Sequence, residues 1–245
     1  MHIVPGIESL DLALYLTSAK TLALSDFHIG FEESLNRQGV LVPRTHYKDV
    51  IDRLEHIFAV LKKAKKSVRT IVITGDLKHD FGHIGRQEWR DVMRLVDYLL
   101  RKCEHLILIK GNHDVQLGPI ADKHGIELVP EYRVGDVLMI HGDVVPTKLR
   151  GITTIIMGHE HPAITLRSKG RSERYKCFLK GTYKRRILIV QPSFNLLTEG
   201  TDILQEQFLS PLLKGRLFGI GCFEAFIVDD RTHEVLPFGS LKRLK

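Results

Sequence analysis

Five short polar clusters carry the chemistry this chain can do: Asp26-Phe27-His28, Gly75-Asp76, Gly111-Asn112-His113-Asp114, His141-Gly142-Asp143 and Gly158-His159-Glu160-His161. Together they offer carboxylate oxygen, amide oxygen and imidazole nitrogen, with no thiolate. That mixture suits borderline divalent ions such as manganese, iron or zinc. A single DxH or HxH means little, because alternate residues of any extended segment face the same side. Five such clusters, each directly after an apolar run, point to metal-assisted hydrolysis.

Something must bring these clusters together. Short apolar runs predict strands at Ala13 to Leu16, Leu22–Ser25, Thr70–Thr74, Leu106–Ile109, Val137–His141, Ile155–Met157 and Ile187–Val190. Apolar residues at helical spacing predict helices over Pro43–Lys66, through Val50, Leu54, Ile57 and Leu61, and over Arg86–Lys102, through Val92, Leu95, Val96 and Leu99. The front half reads as strand–helix–strand units, and strands dominate after Met139. In open α/β sheets ligands bind beyond the carboxyl ends of strands, which is where the clusters lie.

A chain of 245 residues, 43% hydrophobic, can bury one sizeable core. One domain spanning residues 1–245 is expected, with no membrane span, no leader peptide and a cytoplasmic location. Cys103, Cys177 and Cys222 lie far apart, which argues against a disulfide framework or a thiolate zinc site and predicts ordinary buried thiols. The net charge of +7 favours polyanions such as nucleic acid or phosphorylated metabolites.

The order DxH, GD, GNH, a lone His and GHxH, spread over Asp26 to His161, closely resembles the calcineurin-like metallophosphoesterase superfamily. The resemblance implies an α/β fold: a four-layer αββα sandwich of two mixed β-sheets flanked by helices. It implies that Asp26, His28 and His161 hold one divalent ion, that Asn112, His141 and His159 hold another, and that Asp76 bridges both. Mn2+ is the expected ion, with Fe, Zn, Ni and Mg as alternatives. His113 resembles the family's non-ligand histidine beside the substrate. The flanks GFEESLNRQGVLVPRTHY and PSFNLLTEGTD resemble a prokaryotic subgroup related to DNA-repair nucleases, which implies a helicase or ligase partner. GDLKHD places Asp80 one residue later than the common GDxxD, so Asp80 inherits no role. The arginine and glutamate of phosphoprotein phosphatases (GDxxDRG, GNHE) are absent.

The expected activity is cleavage of phosphodiester bonds by a metal-bridging hydroxide, as a nuclease on DNA or RNA. His113 is expected to protonate the leaving oxygen and Asp114 to orient it. Asp114 and Asp143 have an alternative role as turn residues that satisfy loop amides, and His79 and His83 are expected as surface or turn residues, with a place bordering the substrate cleft as their alternative. The segment 167–186 is rich in Arg and Lys and reads as a basic hairpin. It is either a solvated surface or a contact for a phosphate backbone, with Tyr175, Phe178 and Tyr183 stacking on bases or pinning the hairpin to the core. The competing functions are a phosphatase or cyclic-nucleotide phosphodiesterase for a small metabolite, and a non-catalytic scaffold.

Overall fold

A computed structural model describes residues 1–82, 85–168, 170–214 and 219–244, without the Ser168 side chain. His83 and Lys169 therefore lie outside the described residues.

Two sheets face each other. The first runs β1 (His2–Val4), β2 (Ile7–Leu10), β3 (Ala13–Leu16), β4 (Thr21–Leu24), β5 (Thr70–Ile73), β6 (His105–Ile109) and β7 (Glu127–Val129), in that order. It is antiparallel up to β4 and parallel from β4 to β7. The second contains β8 (Glu131–Val134), β9 (Val137–Ile140), β10 (Thr154–Met157), β11 (Pro162–Ser168), β12 (Arg171–Tyr183), β13 (Arg186–Val190) and β14 (Thr201–Asp202). Its order is β14-β11-β12-β13-β10-β9-β8, with β15 (Glu224–Val228) on β12 and β16 (Val235–Ser240) on β15. Helices α1 (Phe31–Arg37), α2 (His46–Lys63), α3 (Arg86–Leu100) and α4 (Gly118–His124) form the connections from β4 to β7.

The layering follows from side-chain alternation. Met139, Ile156, Phe178 and Ile189 of the second sheet join the core shared with the first sheet and with α2 and α3. Their neighbours Leu138, Ile155, Cys177 and Leu188 face the other way, into a smaller core. That outer core is closed by Ile203, Leu212, Ile220, Phe223 and Leu241, from loops and 3-10 turns. The helical layer lies on the first sheet, where Leu54 and Leu95 are fully buried. Each such leucine is worth about 2–5 kcal/mol against alanine.

Neither long helix caps itself. The N-caps Thr45 and Gly85 make no side-chain capping bond. Two adjacent glutamates on the short α1 supply the missing acceptors: Glu32 Oε2 takes the His46 amide at 2.8 Å, and Glu33 Oε2 takes the Glu88 amide at 3.1 Å. Carboxylates are favourable at helix N-termini because the amides there are unpaired and the dipole is positive.

The expected helices α2 and α3 are shorter than their periodic patterns by less than a turn at either end, and α1 and α4 were not expected, since seven residues show too little periodicity. Among the cysteines, Cys177 is buried and Cys103 half-buried, but Cys222 is exposed, which corrects the expectation of three buried thiols. No helix among the described residues is long and apolar enough to cross a membrane.

The basic segment is not one surface. Strands β11 and β12 do form a hairpin, yet Lys176 is 5% exposed and its Nζ donates to Ser193 O, Ser193 Oγ and Asn195 O at 3.0, 2.8 and 2.7 Å. Lys176 is thereby removed from any contact surface, because alternation turns it inward. Phe178 is fully buried and pins the strand to the core. Lys184 and Arg185 occupy the turn into β13, beside the start of β10, whereas the metal-ligand candidates follow the end of β10. Arg167 and Arg171 remain exposed toward the hairpin tip.

Candidate metal centre

All five clusters meet at one edge of the sandwich. Asp26 and His28 follow β4, Asp76 follows β5, and Asn112 and His113 follow β6, while His141 follows β9 and His159 and His161 follow β10. The parallel alignment of these strands places their carboxyl ends side by side.

The loops are tightly wound. Asp26, His28, Asp76, His159 and His161 all adopt left-handed backbone, with φ of 51, 47, 50, 66 and 48°. Such conformations are costly for residues bearing a Cβ and concentrate at functional sites. Close approach also dictates the glycines: a Cβ on Gly158 would strike Ser25 Oγ and Asp26 Oδ2, and one on Gly111 would strike the Asp76 carboxylate.

Two ligand groups share one carboxylate. Asp26, His28, Asp76 and His161 form the first, and Asp76, His141 and His159 the second, each with ligand atoms within 4.8 Å of one another. In the first, His28 Nε2 lies 3.2 Å from His161 Nε2, and His161 Nε2 lies 3.5 Å from Asp26 Oδ1. In the second, His159 Nδ1 and Asn112 Oδ1 lie 3.1 and 2.9 Å from His141 Nε2. His141 Nδ1 donates to Thr74 O at 3.0 Å, leaving Nε2 as the free lone pair.

These groups fit cations better than they fit each other. Asp26 Oδ1 is buried without a hydrogen-bond donor. Burial, then His161, holds His28 well below its ordinary value, and burial, then His141, holds His159 at about 4. Burial pushes Asp76 up to about 9, with the Asp26 and Asp114 carboxylates adding to the rise. For Asp26 burial acts upward too, but His161, His141 and His28 outweigh it and hold the acid below the carboxylate range. Two adjacent buried carboxylates resist sharing full charge unless positive charge lies between them.

His113 behaves differently from the others. Its Nδ1 bonds the carbonyl of His79, its backbone amide donates to Asp76 Oδ1 at 2.9 Å, and its Nε2 lies 4.0 Å from Asp76 Oδ2. Burial lowers its pKa. Asp114 does not orient it and takes the alternative role of a turn residue: its carboxylate accepts the amides of Gly111, Leu77 and Lys78 at 3.0, 3.1 and 3.4 Å. Those amides have no other partner in the turn, so Asp114 braces the loops and the His79 carbonyl does the orienting.

Several further residues stand around the seven expected ligands. His79 lies with Nδ1 3.4 Å from His28 Nδ1 and groups with His28 and His113. His46, 1% exposed, bonds Phe27 O at 3.2 Å between the two first-motif residues. Glu160, the middle of GHEH, accepts the amides of Leu209 and Ser210. Asp80 pairs with Arg37, away from the ligand groups. Asp143 is half-buried and lies outside both groups.

A family model described as calcineurin-like phosphoesterase matches residues 19–145, which contain all the clusters except Gly158 to His161. No curated protein matches the chain. Among solved structures, the Pseudomonas putida nuclease MPE superposes with a TM-score of 0.63 at 20% identity, over 95% of this chain and 94% of that one. Vacuolar protein sorting 29 from Cryptosporidium parvum gives 0.39 at 13% identity, over 90% and 95%. The protein of unknown function AQ665 from Aquifex aeolicus gives 0.36 at 17%, over 61% and 81%. The first of these likenesses establishes the shared two-sheet fold.

Proposed function

The chain belongs to the calcineurin-like phosphoesterase family, and from that premise we propose that it cleaves phosphodiester bonds, as a nuclease on DNA or RNA with Mn2+ as its preferred ion. The observation that carries the reading is the sharing of Asp76 between the two ligand groups. Asp26, His28 and His161 would hold one cation, Asn112, His141 and His159 the other, and Asp76 both. Such a pair of divalent ions, when bound, supplies an acidic water and neutralises phosphate charge.

The chain's own residues do the rest. Thr74 O fixes the His141 tautomer, and Ser25 Oγ and the His159 amide hold Asp26 Oδ2, so that Oδ1 stays free. His113, with its Nδ1 proton engaged by His79 O, turns Nε2 to the substrate; in the imidazolium form, which an adjacent phosphate anion favours, it gives the Nε2 proton to the departing ester oxygen and returns to the neutral Nδ1–H tautomer. Phe81 is 59% exposed, with its ring centroid 3.7 Å from that of His113. It offers a nucleobase a stacking face beside the scissile bond. The nuclease named for the structure that shares this fold is consistent with such a substrate.

A matrix of substrates against metals tests the proposal. It compares a chromogenic diester, a monoester, cyclic nucleotides, single-stranded DNA and duplex DNA, each with Mn2+, Mg2+, Zn2+ or chelator. Cleavage of diester and DNA with Mn2+ supports it. Turnover confined to monoesters or cyclic nucleotides would replace it with a small-metabolite phosphoesterase, and inactivity with two ions bound would favour a scaffold.

A further inference from the structure

Outside the metal centre, a groove of about 920 Å3 opens between α2 and α3. Its walls carry Arg44, Lys48, Arg86, Arg90 and Arg94, with Tyr47 between them. Only two carboxylates line it, Glu33 and Asp91, and both are committed. Glu33 caps α3 through the Glu88 amide, and Asp91, 4% exposed, is gripped by Arg90 and Arg94 at 3.0 and 3.4 Å. Arg44, Lys48 and Arg86 are exposed and make no ion pair among the described residues.

Folding alone does not call for this arrangement. Arg86, Arg90 and Arg94 recur every four residues, so they line one face of α3, where like charges repel. Arg94 lies over the Tyr47 ring at 4.2 Å, which holds its guanidinium toward the groove. Four of the five cations are arginines, whose planar fork binds phosphate with two parallel hydrogen bonds. A groove in which Arg44, Lys48 and Arg86 stand without ion-pair partners beside Arg90 and Arg94 is complementary to a run of phosphates.

The first turn of α3, from which Arg86 reaches the groove, is also tied to the metal centre. Glu88, in the first turn of α3, accepts the amides of His79 and Asp80 at 2.8 and 2.9 Å, and His79 in turn lies against His28. A strand lying along α3 would thus reach the centre at the helix N-terminus. We propose that the α2–α3 groove binds the phosphodiester backbone of a nucleic-acid strand, separately from the cations of the β11–β12 hairpin. The substrate class rests on the nuclease reading above.

The test is an Arg44→Gln, Lys48→Gln, Arg86→Gln variant, none of whose sites belongs to the metal centre. Anisotropy of labelled single-stranded and duplex DNA, measured in chelator over a range of salt, reads binding without cleavage. Each backbone contact contributes roughly 0.7–0.9 to the slope of log affinity against log salt, so losing three should flatten it by roughly 2.1–2.7. Hydrolysis of the small diester should stay at the wild-type rate. If the triple variant melts early, Arg86→Gln alone should flatten the slope by about one contact. Wild-type slope and affinity in these variants, or a slope accounted for entirely by an Arg167→Gln, Arg171→Gln variant, would overturn the groove. So would absence of DNA binding by the wild-type chain. The two readings fail separately: an inactive metal centre with groove-dependent DNA binding removes the nuclease and keeps the groove, and diester turnover with unchanged binding does the reverse.

Discussion

His28 and His141 come from opposite sheets, yet both place Nε2 near the same oxygen of Asp76, at 3.7 and 3.4 Å from Oδ2. One carboxylate therefore joins the two halves of the sandwich at the centre. Asp76→Asn keeps the shape and removes the charge. Metal content should fall below two ions per chain, and diester hydrolysis should drop by more than ~10²-fold, since even residues that only support ligands cost 10–100-fold. An Asp76→Asn protein with two ions and normal turnover would exclude the shared site.

His113→Gln separates proton transfer from metal binding. His113 touches Asp76 through its backbone amide, a bond that glutamine retains. Both ions should remain while the rate falls by ~10²–10⁴-fold, the range for losing a general acid. The loss should shrink for esters with acidic leaving groups, which need no proton. Loss of metal together with activity would show His113 to be a ligand.

Metal affinity should depend on pH through Asp76. In the metal-free protein its acid form persists up to about 9, because burial and the neighbouring Asp26 oppose ionisation. A cation must displace that proton, so affinity should rise by up to ~tenfold per pH unit as pH increases toward that value and then level off. Calorimetry in buffers of different ionisation enthalpy should count close to one proton released at neutral pH. A heat independent of buffer would contradict this.

Lys176 ties the centre to the loop after β13. Its Nζ holds Ser193 and Asn195, while the amides of Phe194 and Asn195 donate to Ser25 O and Asp26 O at 2.7 and 3.0 Å. Lys176→Met leaves buried acceptors unpaired, at about 1–3 kcal/mol each. The melting temperature should fall, and metal affinity should fall with it as Asp26 loosens, whereas the salt slope for DNA should not change. A variant with a weaker salt slope and unchanged melting would return Lys176 to the surface.

Much of this was legible in the sequence because it depends on local pattern. Leu54 and Leu95 announce helices by spacing, and the five polar clusters announce themselves by residue type at strand ends, while the choice of seven ligands among them came from the family resemblance. What stayed hidden depends on partners distant in sequence. Lys176 looks like its exposed neighbours, and only the pairing of β12 with β11 and β13 turns it inward. Glu32 and Glu33 read as ordinary surface charge until the ends of α2 and α3 arrive beside them. Asp114 follows His113 by one residue, which suggested a contact, but the tight turn directs its carboxylate back to the amides of Leu77 and Gly111. The α2–α3 groove gathers Arg44 and Lys48 with Arg86 across a strand and a loop.

The central claim is a pair of cations sharing Asp76, and anomalous diffraction from crystals soaked in Mn2+ tests it most directly. Two peaks are expected, roughly 3.5–4 Å apart, with Asp76 between them, Asp26, His28 and His161 around one, and Asn112, His141 and His159 around the other. A single peak at saturation, or two peaks not joined by Asp76, would contradict it.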